Sequence, residues 1–310
     1  MVRFLTLLLL CAGSANVYAA GSPVDIDTAA QVYLAAGVRQ QVRASLGAMP
    51  AKMRQMFTSQ TSATLSAAQL AAVTAAARKG FQIAVFEPPA LAALAANLDP
   101  LTVKNSLAFL ASGVGTRMVK ADIALAELPE ATIDKVANGT IAAPSTSRRD
   151  ALFKKMEAAA QSTESAVQIY VGIGRSLAIG TALGSGMDLE TARHRVAKTD
   201  TAADSLTLAR SLEIPLGRYL AYGYRGLRDA DLRKLLSFLQ SASGKVYVKA
   251  YIAAMSAGFE AMAQRTGERI GESWRELAEA RVADAELLAP QTAHAPAPAS
   301  APAPAAAPGP

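Results

Sequence analysis

A chain with one cysteine in 310 residues, Cys11, cannot close a disulfide on itself and offers thiol chemistry at no other position. Histidine is nearly as scarce. His194 and His294 are the only two, too few for a zinc or iron centre that draws on three or four ligands, and no cofactor is expected. Aromatic residues are 5% of the chain and β-branched residues are sparse, which disfavours sheet. Basic residues outnumber acidic ones by a formal net charge of +6, yet no run of five like charges occurs, nor any basic stripe interleaved with aromatics. Nucleic-acid binding is therefore not expected.

What remains is an apolar fraction of 51%, carried mostly by alanine and leucine, and these residues favour helix. We expect an all-α protein. Met1 to Ala20 reads as a secretory signal peptide: Arg3, an apolar run from Phe4 to Ala12, and the small-residue site Val17-Tyr18-Ala19-Ala20. The run is too short to span a bilayer alone. Cys11 lies inside it, so the mature chain would have no thiol, as suits an oxidising compartment. A periplasmic or secreted destination in a bacterium follows. At the other end, residues 289–310 are almost pure alanine and proline and read as a disordered, solvated tail.

Between these ends the apolar spacing predicts a first helix over Thr28–Ala48, through Val32, Val38, Val42 and Leu46, and a short one around Met53 and Phe57. Ser66 precedes an alanine-rich helix to Phe86, stopped by Pro88 and Pro89, and Asp99-Pro100 starts the next. Residues 139–147 collect turn formers and read as the linker between a first helical unit, 21–138, and a second, 148–288. Within the second, Glu164–Gly186 is long and apolar, with Gly172, Ser176, Gly180 and Gly184 at every fourth position. Such a ridge lets another backbone approach closely. It also resembles a membrane helix-pairing face, but the central Arg175 argues for a buried soluble helix, and membrane association is the competing reading. A further helix is expected to end before Pro215, and Lys245–Leu288 should form one or two long helices. There the seam of Met262, Ile270, Trp274 and Leu277 should pack on its own domain, with a homodimer or partner contact as the alternative.

Internal repetition links the halves. Leu107–Ala121 and Leu236–Ala250 coincide at about half their positions at an offset of 129 residues, which predicts a tandem duplication of a roughly hundred-residue multi-helix unit. A second match pairs Tyr33, Gly37, Leu46 and Gly47 with Tyr170, Gly174, Leu183 and Gly184. In the repeat, Gly115 and Gly244 should permit a positive-φ corner between two helices. The pattern Tyr224-Arg225-x-Leu227, Asp231-Leu232 and Leu236-x-Phe238-Leu239-x-Ser241-x-x-Gly244-Lys245 resembles the secreted bacterial domain-of-unknown-function family 2059, best over residues 219–250 and more weakly over 98–121. The resemblance implies an exported all-helical domain and brings no catalytic residue with it.

No catalytic constellation stands out. Leu183-Gly184-Ser185-Gly186 lacks the spacing of a nucleophile elbow, and Ser241-Ala242-Ser243-Gly244-Lys245 lacks the leading glycine of a phosphate loop. His194 pairs most simply with Glu190 in solvent. Tyr219, Tyr222, Tyr224, Tyr247 and Tyr251, with Arg218, Arg225 and Arg228, form the densest aromatic and basic grouping. From it we take Tyr222, Arg225, Tyr247 and Tyr251 as a candidate binding groove, with core packing as the plainer role of the tyrosines. The sequence favours a non-enzymatic binding or envelope-interaction protein with a protein or cell-envelope partner. The alternatives are an envelope hydrolase using tyrosines and carboxylates such as Glu260, and a membrane-associated protein acting through 164–186.

Overall fold

A computed structural model describes residues 22–60, 65–198 and 202–288. Residues 1–21 with Cys11, residues 289–310 with His294, and residues 61–64 and 199–201 lie outside the described residues. These residues form fourteen helices and no strand, so the protein is all-α. In the first half the helices are α1 (Ile26–Ala35), α2 (Val38–Leu46), α3 (Met49–Gln60), α4 (Ala67–Gly80), α5 (Ile83–Asn97), α6 (Pro100–Ala111), α7 (Gly113–Ala126) and α8 (Glu130–Ala137). In the second they are α9 (Ser147–Ala160), α10 (Ser162–Gly184), α11 (Leu189–Ala197), α12 (Ala202–Gly223), α13 (Asp229–Gln240) and α14 (Ala242–Leu288).

Local chemistry explains several helix starts. Asp25, Asp99 and Asp188 each accept a hydrogen bond from the backbone N–H three residues on, at 2.7, 2.8 and 2.9 Å, and so satisfy one of the free donors of the first turn. Ser66 and Gln69 form a reciprocal capping box at the start of α4. Several expected boundaries move: the helix expected to run to Phe86 ends at Gly80, and α5 begins at Ile83. The first helix divides at Gly37, whose φ of +69° turns the chain so that α1 packs on α5 and α6 while α2 packs on α7. Pro88 and Pro89 lie inside α5 and Pro215 inside α12. Each proline removes a backbone donor, but burial of Phe86, Ala90 and Leu94 in one helix, and of Leu212, Leu216 and Tyr219 in the other, holds the helical course.

Helix α14 is a single helix of 47 residues, about 70 Å long at 1.5 Å per residue. It is the axis of the molecule, with α10, α5, α4 and α6 packed along it. The linker at 139–147 therefore separates the chain but not the core: Phe86 of the first half meets Phe259 of α14 edge to face, with centroids 5.2 Å apart. The seam predicted from sequence packs inward. Met262 and Ile270 are fully buried, and Trp274 lies edge-on to Phe57 and donates its indole N–H to the Gln69 carbonyl.

The closest approach is between α10 and α14. A Cβ placed on Gly180 or Gly184 would run into the carbonyls of Gln264 or Glu268, and one on Gly267 or Gly271 into those of Leu177 or Thr181. Facing positions rise together along both helices, so they run parallel. The four-residue glycine spacing read from α10 thus meets a second one on α14, and backbone packs on backbone. By length and composition α10 is the one described helix able to cross a membrane, but the face turned from α14 exposes Glu164, Gln168 and Arg175. Gly174, on the open side, has nothing within 4 Å of a Cβ position.

Gly184→Ala should therefore destabilise the fold by about 2–3 kcal/mol in denaturant unfolding, because the helices must part. By contrast, Gly174→Ala should stabilise it by about 0.5–1 kcal/mol through helix propensity alone.

Candidate functional site

The repeated stretch forms the same corner twice. Ser112 ends α6 and caps α7; Ser241 ends α13 and caps α14. Each serine accepts from the N–H of the glycine three residues on, Gly115 at 3.1 Å and Gly244 at 2.9 Å. Each also donates its hydroxyl to the carbonyl three residues back, Phe109 at 2.6 Å and Phe238 at 2.7 Å. Neither glycine has a positive φ. Their role is closeness: a side chain on Gly115 would strike the Phe109 carbonyl and Leu110, and one on Gly244 the Phe238 carbonyl. The phosphate-loop likeness of Ser241 to Lys245 resolves into this helix-to-helix corner.

The two corners face each other. Phe109 stacks flat on Phe238, centroids 4.1 Å apart and rings parallel, while Asn105 donates to the Ser243 hydroxyl at 2.8 Å. The likeness does not extend to the second sequence match. Gly37 breaks α1 from α2, whereas Gly174 lies within the continuous α10, and Gly184 is packed on a backbone while Gly47 is open.

Of the four candidate groove residues, the structure brings Tyr247 and Tyr251 together in the core, 1% and 3% exposed, with ring centroids 6.2 Å apart. They line a narrow apolar cavity with Tyr33, Phe86, Leu94 and Met255. Tyr222 is half-buried at the edge of the core and Arg225 is exposed, its guanidinium 3.8 Å over the tyrosine ring and donating to the Tyr222 carbonyl. The four do not share one groove. Tyr219 and Tyr224 are buried too, and Arg218 reaches back to the Ala137 carbonyl at 2.8 Å.

Three groups that the sequence does not single out organise this region. Asp122 of α7 is 3% exposed and accepts a hydrogen bond from the Tyr224 hydroxyl at 2.9 Å. Burial pushes its carboxyl up to about 8 against the smaller opposing effect of that bond. Arg149 of α9 clamps the turn after α12, donating to the carbonyls of Tyr224 and Leu227 and to Asp229, all within 2.7–2.8 Å. At the rim of the cavity, Glu87 accepts from both the Tyr33 hydroxyl, at 3.2 Å, and Arg39. Burial, then the Glu87 charge, pushes the Tyr33 hydroxyl above its ordinary range. Asp122 carries a readable signal: it falls on the stripe Val114, Met118, Asp122, Leu125, where every other member is a buried apolar residue.

The remaining carboxylates divide into surface and interface roles. Asp231, 4% exposed at its side chain, pairs with Arg228 at 3.2 Å and Arg117 at 2.8 Å, which hold its carboxyl below the usual range. Glu260 lies half-buried over Gly172, and desolvation raises its carboxyl in spite of Arg175. Among the described residues no group of three or more His, Cys, Asp or Glu side chains is placed to hold a metal ion. No family model, curated protein or solved structure matches the chain. Function must be read from the molecule's own geometry.

Gly115→Val and Gly244→Val should each cost about 2–3 kcal/mol of stability by denaturant unfolding, since each opens a corner. For Asp122 the folded carboxyl titrates near 8, against 3.8 ordinarily. Below about pH 4 both folded and unfolded chains keep the proton; between about 4 and 8 only the folded chain does. Stability should fall as pH rises through that window and level above it. Thermal unfolding of Asp122→Asn should show this slope removed, with a higher Tm than the parent at pH 8.

Proposed function

We propose that the chain is an exported periplasmic helical protein that acts by binding a protein or another component of the cell envelope. One observation carries the reading: α14 outruns its own core. From Ala278 to Ala283 every residue is exposed, around the full turn of the helix, and Val282 is 59% exposed. An isolated helix end gains little from propensity alone, so a helix continued past its packing is a natural handle for a partner. It leads directly into the Ala/Pro-rich tail at 289–310, whose composition suits a reach rather than a core. The leader-like Met1–Ala20 and the absence of cysteine after it support export. Membership of the domain-of-unknown-function family 2059, and duplication of an ancestral helical unit, belong to the same proposal.

Glu260 favours a second reading, an envelope hydrolase. Its carboxyl is raised by burial, the property of a general acid.

A carboxyl-reactive cross-linker applied to the full chain in its native envelope should join the exposed Glu276 and Glu279 to one partner. Excess unlabelled chain should compete those links away, and removal of residues 278–310 should abolish them. An absence of partner links, together with peptidoglycan or ester hydrolysis lost in Glu260→Ala, would replace the binding reading with the enzymatic one.

A further inference from the structure

Tyr224 is tied in two directions. Its carbonyl is held within the second half by Arg149 of α9 at 2.7 Å, and its hydroxyl reaches across to Asp122 of α7 in the first half at 2.9 Å. Just before it, Gly223 lies so close to Leu125 of α7 that a Cβ would come within 2.8 Å of the leucine side chain. The end of α12 therefore rests on α7 through one close contact and one side-chain hydrogen bond. The second oxygen of that carboxyl, Oδ2, is buried and has no hydrogen-bond partner in the protein.

An ionised carboxylate in that place would keep one hydrogen bond and leave a desolvated, unpaired oxygen, which is strongly unfavourable. No cation is placed to relieve it. Arg117, on α7 itself, is committed to Asp231 of α13; Arg39 of α2 is committed to Glu87; Arg149 of α9 is committed to Asp229. From α12 the facing group is the Tyr224 hydroxyl, and beyond it lie Tyr247 and Tyr251 of α14, phenols that carry no positive charge. A proton on Asp122 is the one charge-neutralising partner the site admits.

We propose that Asp122 and Tyr224 form a proton-operated latch between α7 and the end of α12, shut while the carboxyl keeps its proton and loosened when the proton leaves. When the latch opens, Arg149 keeps the turn from Tyr224 to Asp229 intact, so the turn moves as a unit. That movement carries Arg225 and Arg228 with it and uncovers the buried face of Tyr224. Opening exposes the carboxyl, which then releases its proton at any pH above its ordinary range, so acid favours the shut form.

Hydrogen exchange of the full chain, corrected for intrinsic rates, tests this between pH 5 and pH 9. Release of one proton per opening requires protection of the peptide at 219–229 to fall about tenfold per pH unit up to about 8 and then level off. Amides at 262–271 in the α10–α14 seam, which open only on global unfolding, should stay better protected than this peptide at every pH. Asp122→Asn should give a flat profile. Tyr224→Phe, which removes the bond that lowers the carboxyl, should move the levelling point to higher pH. A flat profile in the parent, an equal fall in Asp122→Asn, an unmoved levelling point in Tyr224→Phe, or seam protection no greater than that of 219–229 would each overturn the latch.

Discussion

Backbone packed on backbone, along Gly180 and Gly184 of α10 and Gly267 and Gly271 of α14, is the contact on which the other helices depend. Helices normally stand 8–10 Å apart because side chains hold them there. Four glycines remove that spacing and bring carbonyl oxygens onto glycine α-carbons. Along this pair, α5, α4 and α6 pack on α14. On one side of α14, Gly80 and Gly258 extend the same device: Thr266 fits against Gly80 of α4, and the Phe86 ring fits against Gly258. The first-half helices close on α14 through absent side chains as much as through present ones.

This explains which parts of the fold are legible in the sequence. The ridge on α10 is readable because its glycines interrupt an apolar run. Its partner on α14 is hidden, since Gly267 and Gly271 stand among Arg265, Glu268, Arg269 and Glu272, and a charge-laced stretch reads as a solvated face. Yet Gly267 is buried and Gly271 is buried, because two glycines in a row of four leave a strip of bare backbone between the charges. The prolines mislead for the opposite reason. Pro88, Pro89 and Pro215 obey a local rule that predicts a break, and tertiary burial of Phe86 and Leu216 overrides it. Capping residues, whose effect is local, are legible at Ser66 and Asp99 without any knowledge of the packing.

The candidate site is legible only in part, because spacing shows which residues share a helix face but not which helices meet. Tyr247 and Tyr251 are one turn apart, and they do meet. Tyr222 and Arg225 belong to the end of α12, where the chain turns outward, so the same densely aromatic segment is split between core and surface. Asp122 is legible only as the one polar member of an apolar stripe, while the tyrosine it meets, 102 residues on, is not. The repeat, in contrast, locates the Phe109–Phe238 stack without revealing that the two copies touch. Equivalent residues in contact with each other, as these rings are, place the two corners in a face-to-face relation that a one-dimensional offset cannot express.

The glycine seam has one weakness that the polar contacts repair. Its small residues recur every four positions on both helices, so sliding one helix by about 6 Å, four residues at 1.5 Å each, would set most of the same small residues against backbone again. Close packing alone leaves the register underdetermined. The contacts on the N-terminal side of the seam set the register. Glu260 lies over Gly172, Phe259 meets Phe86, Asn105 bonds Ser243, and Arg117 spans to Asp231. A four-residue slip of α14 would pull each of them apart, and the buried Asp231, joined to α14 through the Ser241 corner, would lose its guanidinium from α7. Individually such polar contacts contribute little net stability, yet they discriminate between registers that the glycines alone would leave nearly equal in energy. The close approach supplies the rigidity of the axis, and the charged and aromatic contacts at the junction of the halves decide where along it each half sits.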